Sequence, residues 1–161
     1  MTRRNLLSSA AALFAGMLGG VPQTARADQG QHYEVSYTTE QWKQRLSPEQ
    51  YYVLREQGTE YAFSSPLDTE KRVGVYECAG CALPVFSSTT KFDSGTGWPS
   101  FWAPITGAIG TTKDSSFFMV RTEVHCRRCG SHLGHVFDDG PKPTGLRYCI
   151  NGVALIFVPK A

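Results

Sequence analysis

The sequence predicts a mainly β domain with short helices at its N-terminal end, and three observations lead there. Sixteen Gly and nine Pro in 161 residues suit strands joined by turns better than a helical bundle. After Gly58 the chain breaks into short alternating stretches separated by Gly, Pro and Ser, the pattern of half-buried strands. No long alternation of strand and helix follows, which argues against a doubly wound sheet and for antiparallel pairing. The length fits one domain.

Residues 1–27 stand apart from that fold. Arg3 and Arg4 open the chain, a mildly apolar stretch runs from Leu6 to Val21, and Ala25-Arg26-Ala27 offers a small-x-small cleavage site, the layout of an export signal. The stretch falls short of the roughly 20 residues that span a bilayer and contains Ser8, Ser9, Gly16, Gly19 and Gly20, which argues against a permanent membrane anchor. Thr2-Arg3-Arg4-Asn5-Leu6-Leu7 resembles a twin-arginine signal; an ordinary Sec signal with two basic residues is the other reading. Either expectation places the mature chain, residues 28–161, in the periplasm or otherwise outside the cytoplasm. Without this segment 13 basic residues face 14 acidic ones. A near-neutral domain lacks the general attraction that nucleic-acid binding needs.

The elements of the mature chain follow in order. Thr38 or Thr39 caps a short helix through Trp42 to Leu46. Ser47-Pro48-Glu49-Gln50 opens a second, with Ser as N-cap, Pro in the first turn and Gln three residues on. Tyr51, Leu54 and Arg55 keep helical spacing and Gly58 is a natural stop. Neither helix carries assigned chemistry. Val73 to Cys78, Phe117 to Val124 and Gly152 to Val158 are the strongest strand candidates.

Four of the five cysteines form a set. Cys78-Ala79-Gly80-Cys81 and Cys126-Arg127-Arg128-Cys129 are two Cys-x-x-Cys knuckles, and two thiolates from each complete the tetrahedral arrangement of a structural zinc. Gly80 and Gly130 let the backbone turn around such an ion. The gap between the knuckles exceeds that of a compact zinc ribbon, so the metal clips two distant strand turns. Two disulfides, natural in an exported protein, and a thioredoxin-like redox pair are the competing readings. The absence of a β-α-β setting weakens the second.

Cys149 stands alone in Arg147-Tyr148-Cys149-Ile150-Asn151. On a strand, Arg147, Cys149 and Asn151 share one face while Tyr148 and Ile150 enter the other. A cationic neighbour favours the reactive thiolate, whereas a lone cysteine is otherwise an inert core residue. His132 and His135 bring imidazoles that can donate a proton. Gly97-Trp98-Pro99-Ser100-Phe101-Trp102 is either core or the apolar pocket of a small methyl-bearing group, with sulfur–aromatic contact available.

These pieces, in this order from about Thr39 to Val158, resemble the B-type methionine sulfoxide reductases. The markers are the two knuckles, Lys91-Phe92-Asp93-Ser94-Gly95-Thr96-Gly97-Trp98-Pro99-Ser100-Phe101, His132-Leu133-Gly134-His135-Val136-Phe137-Asp138 and Arg147-Tyr148-Cys149-Ile150-Asn151. The resemblance implies two antiparallel sheets with peripheral helices and a shallow active site. It also implies one structural zinc on Cys78, Cys81, Cys126 and Cys129, and reduction of the R epimer of methionine sulfoxide by Cys149. Trp98 then faces the substrate methyl, with Phe101 and Arg147 beside the substrate, and His132, His135 and Asn151 assist catalysis.

Many family members carry a second, resolving cysteine where this chain has Thr96. With four cysteines on zinc, oxidised Cys149 has no internal partner, so a one-cysteine cycle is expected. An external thioredoxin-like thiol then acts directly on Cys149, with oxidised proteins or peptides as substrate. Two rivals make distinct demands. A noncatalytic zinc-stabilised interaction module leaves Trp98, His135 and Asn151 without a purpose. A cysteine hydrolase built on Cys149 and His135 needs an oxyanion hole and no reductant.

Overall fold

Thr38 and Ser47 each start a helix by the same reciprocal device. In the computed structural model, which describes residues 32–115 and 120–160, the side chain of each accepts from the backbone three residues on. Gln41 and Gln50 return the bond to the cap backbone, closing two capping boxes. Helix α1 spans Thr39–Arg45 and α2 spans Pro48–Glu56. The end of α2 differs from the expected glycine stop: Gln57 takes the left-handed position, φ 56°, and Gly58 donates its N–H to the Tyr52 carbonyl. A Cβ on Gly58 would overlap the Tyr52 ring, so the glycine serves close packing. The export-signal reading falls on residues 1–27, outside the described residues. Among those described, no helix is long and apolar enough to cross a membrane.

Among the described residues nine strands form two antiparallel sheets. The smaller has the order β2 (Pro84–Ser87), β1 (Gly74–Cys78), β9 (Leu155–Pro159). The larger runs β3 (Lys91–Phe92), β4 (Ser100–Phe101), β8 (Arg147–Ile150), β7 (His132–Phe137), β6 (Arg121–Cys126), β5 (Ile109–Asp114). Two strand boundaries move from the expected ones. In the Phe117–Val124 stretch β6 begins at Arg121 and Val120 lies outside it, residues 116–119 being outside the described residues. Gly152–Ala154 is a 3₁₀ turn ahead of β9, because a buried carboxylate captures its N–H groups, as described below.

The core is aromatic. Phe86 from β2 stacks on Phe101 from β4, ring centroids 4.4 Å apart, and Tyr76 from β1 meets Phe101 edge-on at 5.0 Å. Offset and edge contacts of this kind add roughly 0.5–1.5 kcal/mol each beyond area burial. Val53 and Leu54 of α2 are buried where the helix packs on β7 and the 3₁₀ turn. Helix α2 thus backs the sheet at β7, which carries His132 and His135.

Candidate active site and metal centre

Cys78 ends β1 in one sheet and Cys126 ends β6 in the other, so the two knuckles meet where the sheets come together. The Cys78 and Cys129 sulfurs are 3.7 Å apart and those of Cys81 and Cys126 3.5 Å, with all four within 4.8 Å of one another. Zn–S bonds of about 2.3 Å in a tetrahedron demand sulfur separations of roughly 3.8 Å. The four thiols fit that demand, and all are free, far beyond the ~2.05 Å of a disulfide. Hydrogen bonding among the sulfurs pulls Cys129 and Cys81 below the usual thiol range and pushes Cys78 and Cys126 above it. Thiolates crowded this closely repel one another, and a dication removes that conflict.

The glycines of the knuckles divide their work differently from expectation. Gly130 does take a left-handed turn, φ 66°. In the first knuckle Ala82 takes that conformation instead, φ 55°, and Gly80 gives room: a Cβ there would come 2.8 Å from Ser131 Oγ. Arg55 of α2 donates to the Cys129 carbonyl at 3.1 Å and lies over the Trp42 ring at 4.7 Å, so the helix braces the second knuckle.

The second site lies on one transverse row of the larger sheet. Register places Ser100 opposite Cys149, Cys149 opposite His135, His135 opposite Glu123 and Glu123 opposite Thr112. Directly opposed residues share a face, so five polar side chains from five strands line up. Ile150 is fully buried and Tyr148 meets Phe86 at 5.9 Å, which gives the expected alternation along β8. Gly134 permits the close approach, since a Cβ there would overlap the Cys149 carbonyl.

Cys149, His135, Asn151 and Trp98 line one hollow of about 170 Å³, with Thr59, Arg121, Gly134 and Phe137 completing it. Trp98 is fixed by an indole N–H bond to the Glu60 carbonyl, 3.2 Å. Arg147 is clamped by Asp139 through two bonds of 2.8 and 2.7 Å and lies over the Phe137 ring at 4.5 Å. Its charge does not settle the thiol as expected. Burial pushes the Cys149 thiol up, and Thr96 and Arg147 offset this only in part. His135 Nε2 lies 2.9 Å from Asp114 Oδ2, which Arg121 also binds at 2.8 Å. Burial moves this imidazole below its usual range, against the pull of Asp114.

Two expected site residues take other places, and a third stays at the hollow with its amide bound to backbone. Phe101 is 0% exposed and its ring belongs to the core stack, because Phe101 pairs with Tyr148 on the row facing the other way. Asn151 borders the hollow, but its amide is spent on backbone: Oδ1 accepts from Glu60 N at 3.0 Å and Nδ2 donates to the Leu133 carbonyl at 3.0 Å. His132 lines a larger neighbouring cleft of about 490 Å³ and donates through Nδ1 to Glu123 at 2.8 Å. Its ring stands edge-on to His135, 5.4 Å between centroids.

The sequence reading missed Glu60, Asp114 and Arg121. Glu60 is 6% exposed, and its carboxylate accepts from Gly152 N and Val153 N at 2.5 and 2.8 Å. No spacing pattern marks it. Asp114 and Arg121 were findable, since they pair across β5 and β6 and a hairpin drawn from sequence sets opposite charges at its end.

A thiol held on a polar row beside a tryptophan, in a domain clipped by four cysteines, defines a cysteine-based oxidoreductase with a structural metal site. The chain belongs to the SelR domain family, whose pattern it matches over residues 46–159. It is 56% identical over 128 residues to the peptide methionine sulfoxide reductase MsrB of Pseudomonas putida (strain W619), covering 79% of this chain and 96% of that protein. It is 58% identical over 124 residues to the protein of the same name from Methanosarcina barkeri, covering 76% and 87%. The one from Leptospira interrogans is 54% identical over 127 residues, covering 78% and 97%.

Proposed function

We propose that this chain reduces the R epimer of methionine sulfoxide in oxidised proteins and peptides, with Cys149 as the nucleophile. The observation that carries the reading is the single hollow shared by the Cys149 thiol, the Trp98 ring and the His135 imidazole. The Cys149 thiolate attacks the sulfoxide sulfur while His135 supplies a proton to the sulfoxide oxygen. Methionine leaves and the oxygen remains on Cys149 as a sulfenic acid. An external thiol, such as that of a thioredoxin-like protein, then displaces water to form a mixed disulfide, and a second thiol releases Cys149.

In this reading Trp98 and Phe137 receive the methyl group, and Asn151 acts by holding the wall that bears Trp98. Fixing methyl, oxygen and lone pair in separate places supplies the stereochemical choice. Zinc on Cys78, Cys81, Cys126 and Cys129 supplies folding energy and takes no part in the redox step. The interaction-module reading is not favoured, because it gives no account of a thiol, a tryptophan and an imidazole sharing one small hollow.

Export remains part of the proposal: residues 1–27 act as a twin-arginine-type signal and the mature chain works in the periplasm. Fractionation of cells carrying Arg3→Lys and Arg4→Lys together tests it, and unchanged export would point to the Sec route. The reaction is tested by offering R- and S-methionine sulfoxide peptides separately with dithiothreitol, alongside Cys149→Ser. R-selective turnover lost in the variant is expected; no turnover of either epimer by folded, zinc-loaded protein would sink the reading.

A further inference from the structure

Thr96 reaches Cys149 from the turn between β3 and β4, its Oγ1 lying 3.9 Å from the sulfur. Behind it runs a line of hydroxyls. Thr96 Oγ1 is 2.8 Å from Ser94 Oγ, and Ser94 Oγ is 2.7 Å from Ser100 Oγ. The Ser100 hydroxyl donates to the Trp98 carbonyl at 3.1 Å. Ser100 is fully buried.

Each hydroxyl owns one proton, and counting them gives the line a direction. A carbonyl only accepts, so Ser100 spends its proton on Trp98. The bond between Ser94 and Ser100 then uses the proton of Ser94, and the bond between Thr96 and Ser94 uses that of Thr96. No hydroxyl proton is left for the sulfur. The last link is therefore the thiol's own S–H donating to Thr96 Oγ1. A thiolate can only accept, and for Thr96 to join Arg147 as its donor the line needs the opposite order. Thr96 must turn its proton to the sulfur, Ser94 to Thr96 and Ser100 to Ser94. Three O–H bonds rotate, no proton changes owner along the line, and the Trp98 carbonyl loses its donor.

We propose that Ser94 and Ser100 are positioning residues that govern the ionisation of Cys149 through Thr96, the hydroxyl line pointing to the Trp98 carbonyl with the thiol and to the sulfur with the thiolate. A hydroxyl beside a sulfur favours the thiolate only when its proton is free to face it. Here Ser94 holds that proton in the resting protein, which limits how far Thr96 offsets the burial that raises the thiol. Ser94 and Ser100 thus restrain the help that Thr96 gives a nucleophile with no resolving cysteine beside it. Ionisation of the sulfur carries the cost of a Trp98 carbonyl left without its hydroxyl donor.

The charged groups around Cys149 are Arg147 on its own strand with its partner Asp139, His135 opposite on β7 and Arg121 across the hollow. From β4, on the other flank, the facing residue is Ser100 itself. None of the charged groups changes in the variants that test the line, so differences among them report on the hydroxyls.

The experiment is the pH dependence of Cys149 alkylation by iodoacetamide, read by mass spectrometry on the peptide bearing Cys149 and using folded, zinc-loaded protein. Ser94→Ala removes the acceptor that holds the Thr96 proton, so Thr96 faces the sulfur. The alkylation midpoint is expected to move down by roughly one pH unit, about tenfold more thiolate near neutrality. Ser100→Ala frees Ser94 to donate to Thr96 and shifts the midpoint the same way. Thr96→Val removes the hydroxyl at the sulfur and shifts it up, while Thr96→Ser keeps the wild-type midpoint. Having two serine variants guards against misfolding in either. Serine and valine variants moving in the same direction, or none moving, would overturn the proposal. The inference rests on Cys149 as the reacting group, but its test uses no sulfoxide, so a failure of turnover and a failure of the hydroxyl line are read separately.

Discussion

His135 and Cys149 are opposed partners on β7 and β8, and each sits on the less favourable side of its own titration. The proposed reaction needs a protonated imidazole and a thiolate. Burial lowers the first and raises the second, so the resting pair is chiefly neutral imidazole and thiol. Below both values the rate climbs as Cys149 ionises. Between them one requirement gains what the other loses, and above both it falls as His135 stays neutral. The profile of kcat/KM is a bell whose acid limb belongs to His135 and whose alkaline limb belongs to Cys149. Asp114 is the group that holds His135 up. Asp114→Asn is therefore expected to move the acid limb to lower pH and depress the plateau. His135→Gln should lower kcat/KM by about 10²–10⁴-fold. An unmoved acid limb in Asp114→Asn would remove His135 from the proton transfer.

Trp98 and Phe101 lie three residues apart and are expected to respond in opposite ways. Trp98 borders the hollow, so Trp98→Ala should cost binding of the sulfoxide methyl, about 1–3 kcal/mol and hence roughly 10- to 200-fold in kcat/KM. Phe101 is in the core stack with Phe86 and Tyr76. Phe101→Ala should cost about 3–5 kcal/mol of stability and leave the KM of the folded enzyme unchanged. Urea unfolding set beside steady-state kinetics separates the two. A KM effect in Phe101→Ala without loss of stability would return that residue to the pocket.

That contrast marks where the sequence stops being legible. The two capping boxes, the alternation along β8 and the four-cysteine set are local or periodic signals, and each can be read from spacing. The places of the Phe101 ring and the Asn151 amide are not local signals, because their neighbours come from distant segments. The ring of Phe101 is placed by Phe86 on β2, and the amide of Asn151 is consumed by the backbone of Glu60 and Leu133. Glu60 itself carries no pattern, since its partners are backbone N–H groups more than 90 residues away in the chain. The Arg147 charge is outweighed for another reason. Sequence shows a charge beside the thiol but not the burial that outweighs it.

The four-thiol cluster predicts a response to metal removal. It joins β1 of one sheet to β6 of the other, so loss of zinc should loosen the sheets rather than disable the thiol directly. One zinc per chain is expected by elemental analysis. Stripping it with a strong chelator under reducing conditions should lower the melting temperature well beyond the roughly 2–8 °C that 1 kcal/mol is worth in a domain of this size. Cys126→Ser should do the same. A metal-free protein with an unchanged melting temperature would show that the cluster stands without an ion.

Glu60 provides the strictest test of how the hollow is held. Its backbone N–H goes to Asn151, its carbonyl takes the Trp98 indole, and its two carboxylate oxygens take Gly152 N and Val153 N. One residue therefore ties the loop after α2 to the tryptophan, to the residue two beyond Cys149 and to the turn before β9. Gln at this position keeps the shape but replaces one acceptor by an NH₂ group, which then faces a buried N–H donor. The penalty for an unsatisfied buried donor is about 1–3 kcal/mol, so Glu60→Gln should lose stability in that range. Because the same residue sets Trp98 and Asn151, KM for a sulfoxide peptide should rise while the alkylation rate of Cys149 stays near that of the wild type. Asp at this position retains both oxygens but withdraws them by a methylene, and is expected to fall between wild type and Gln. A Glu60→Gln variant with wild-type urea midpoint and wild-type KM would mean that the 3₁₀ turn and the Trp98 wall hold themselves, and that the buried carboxylate is dispensable.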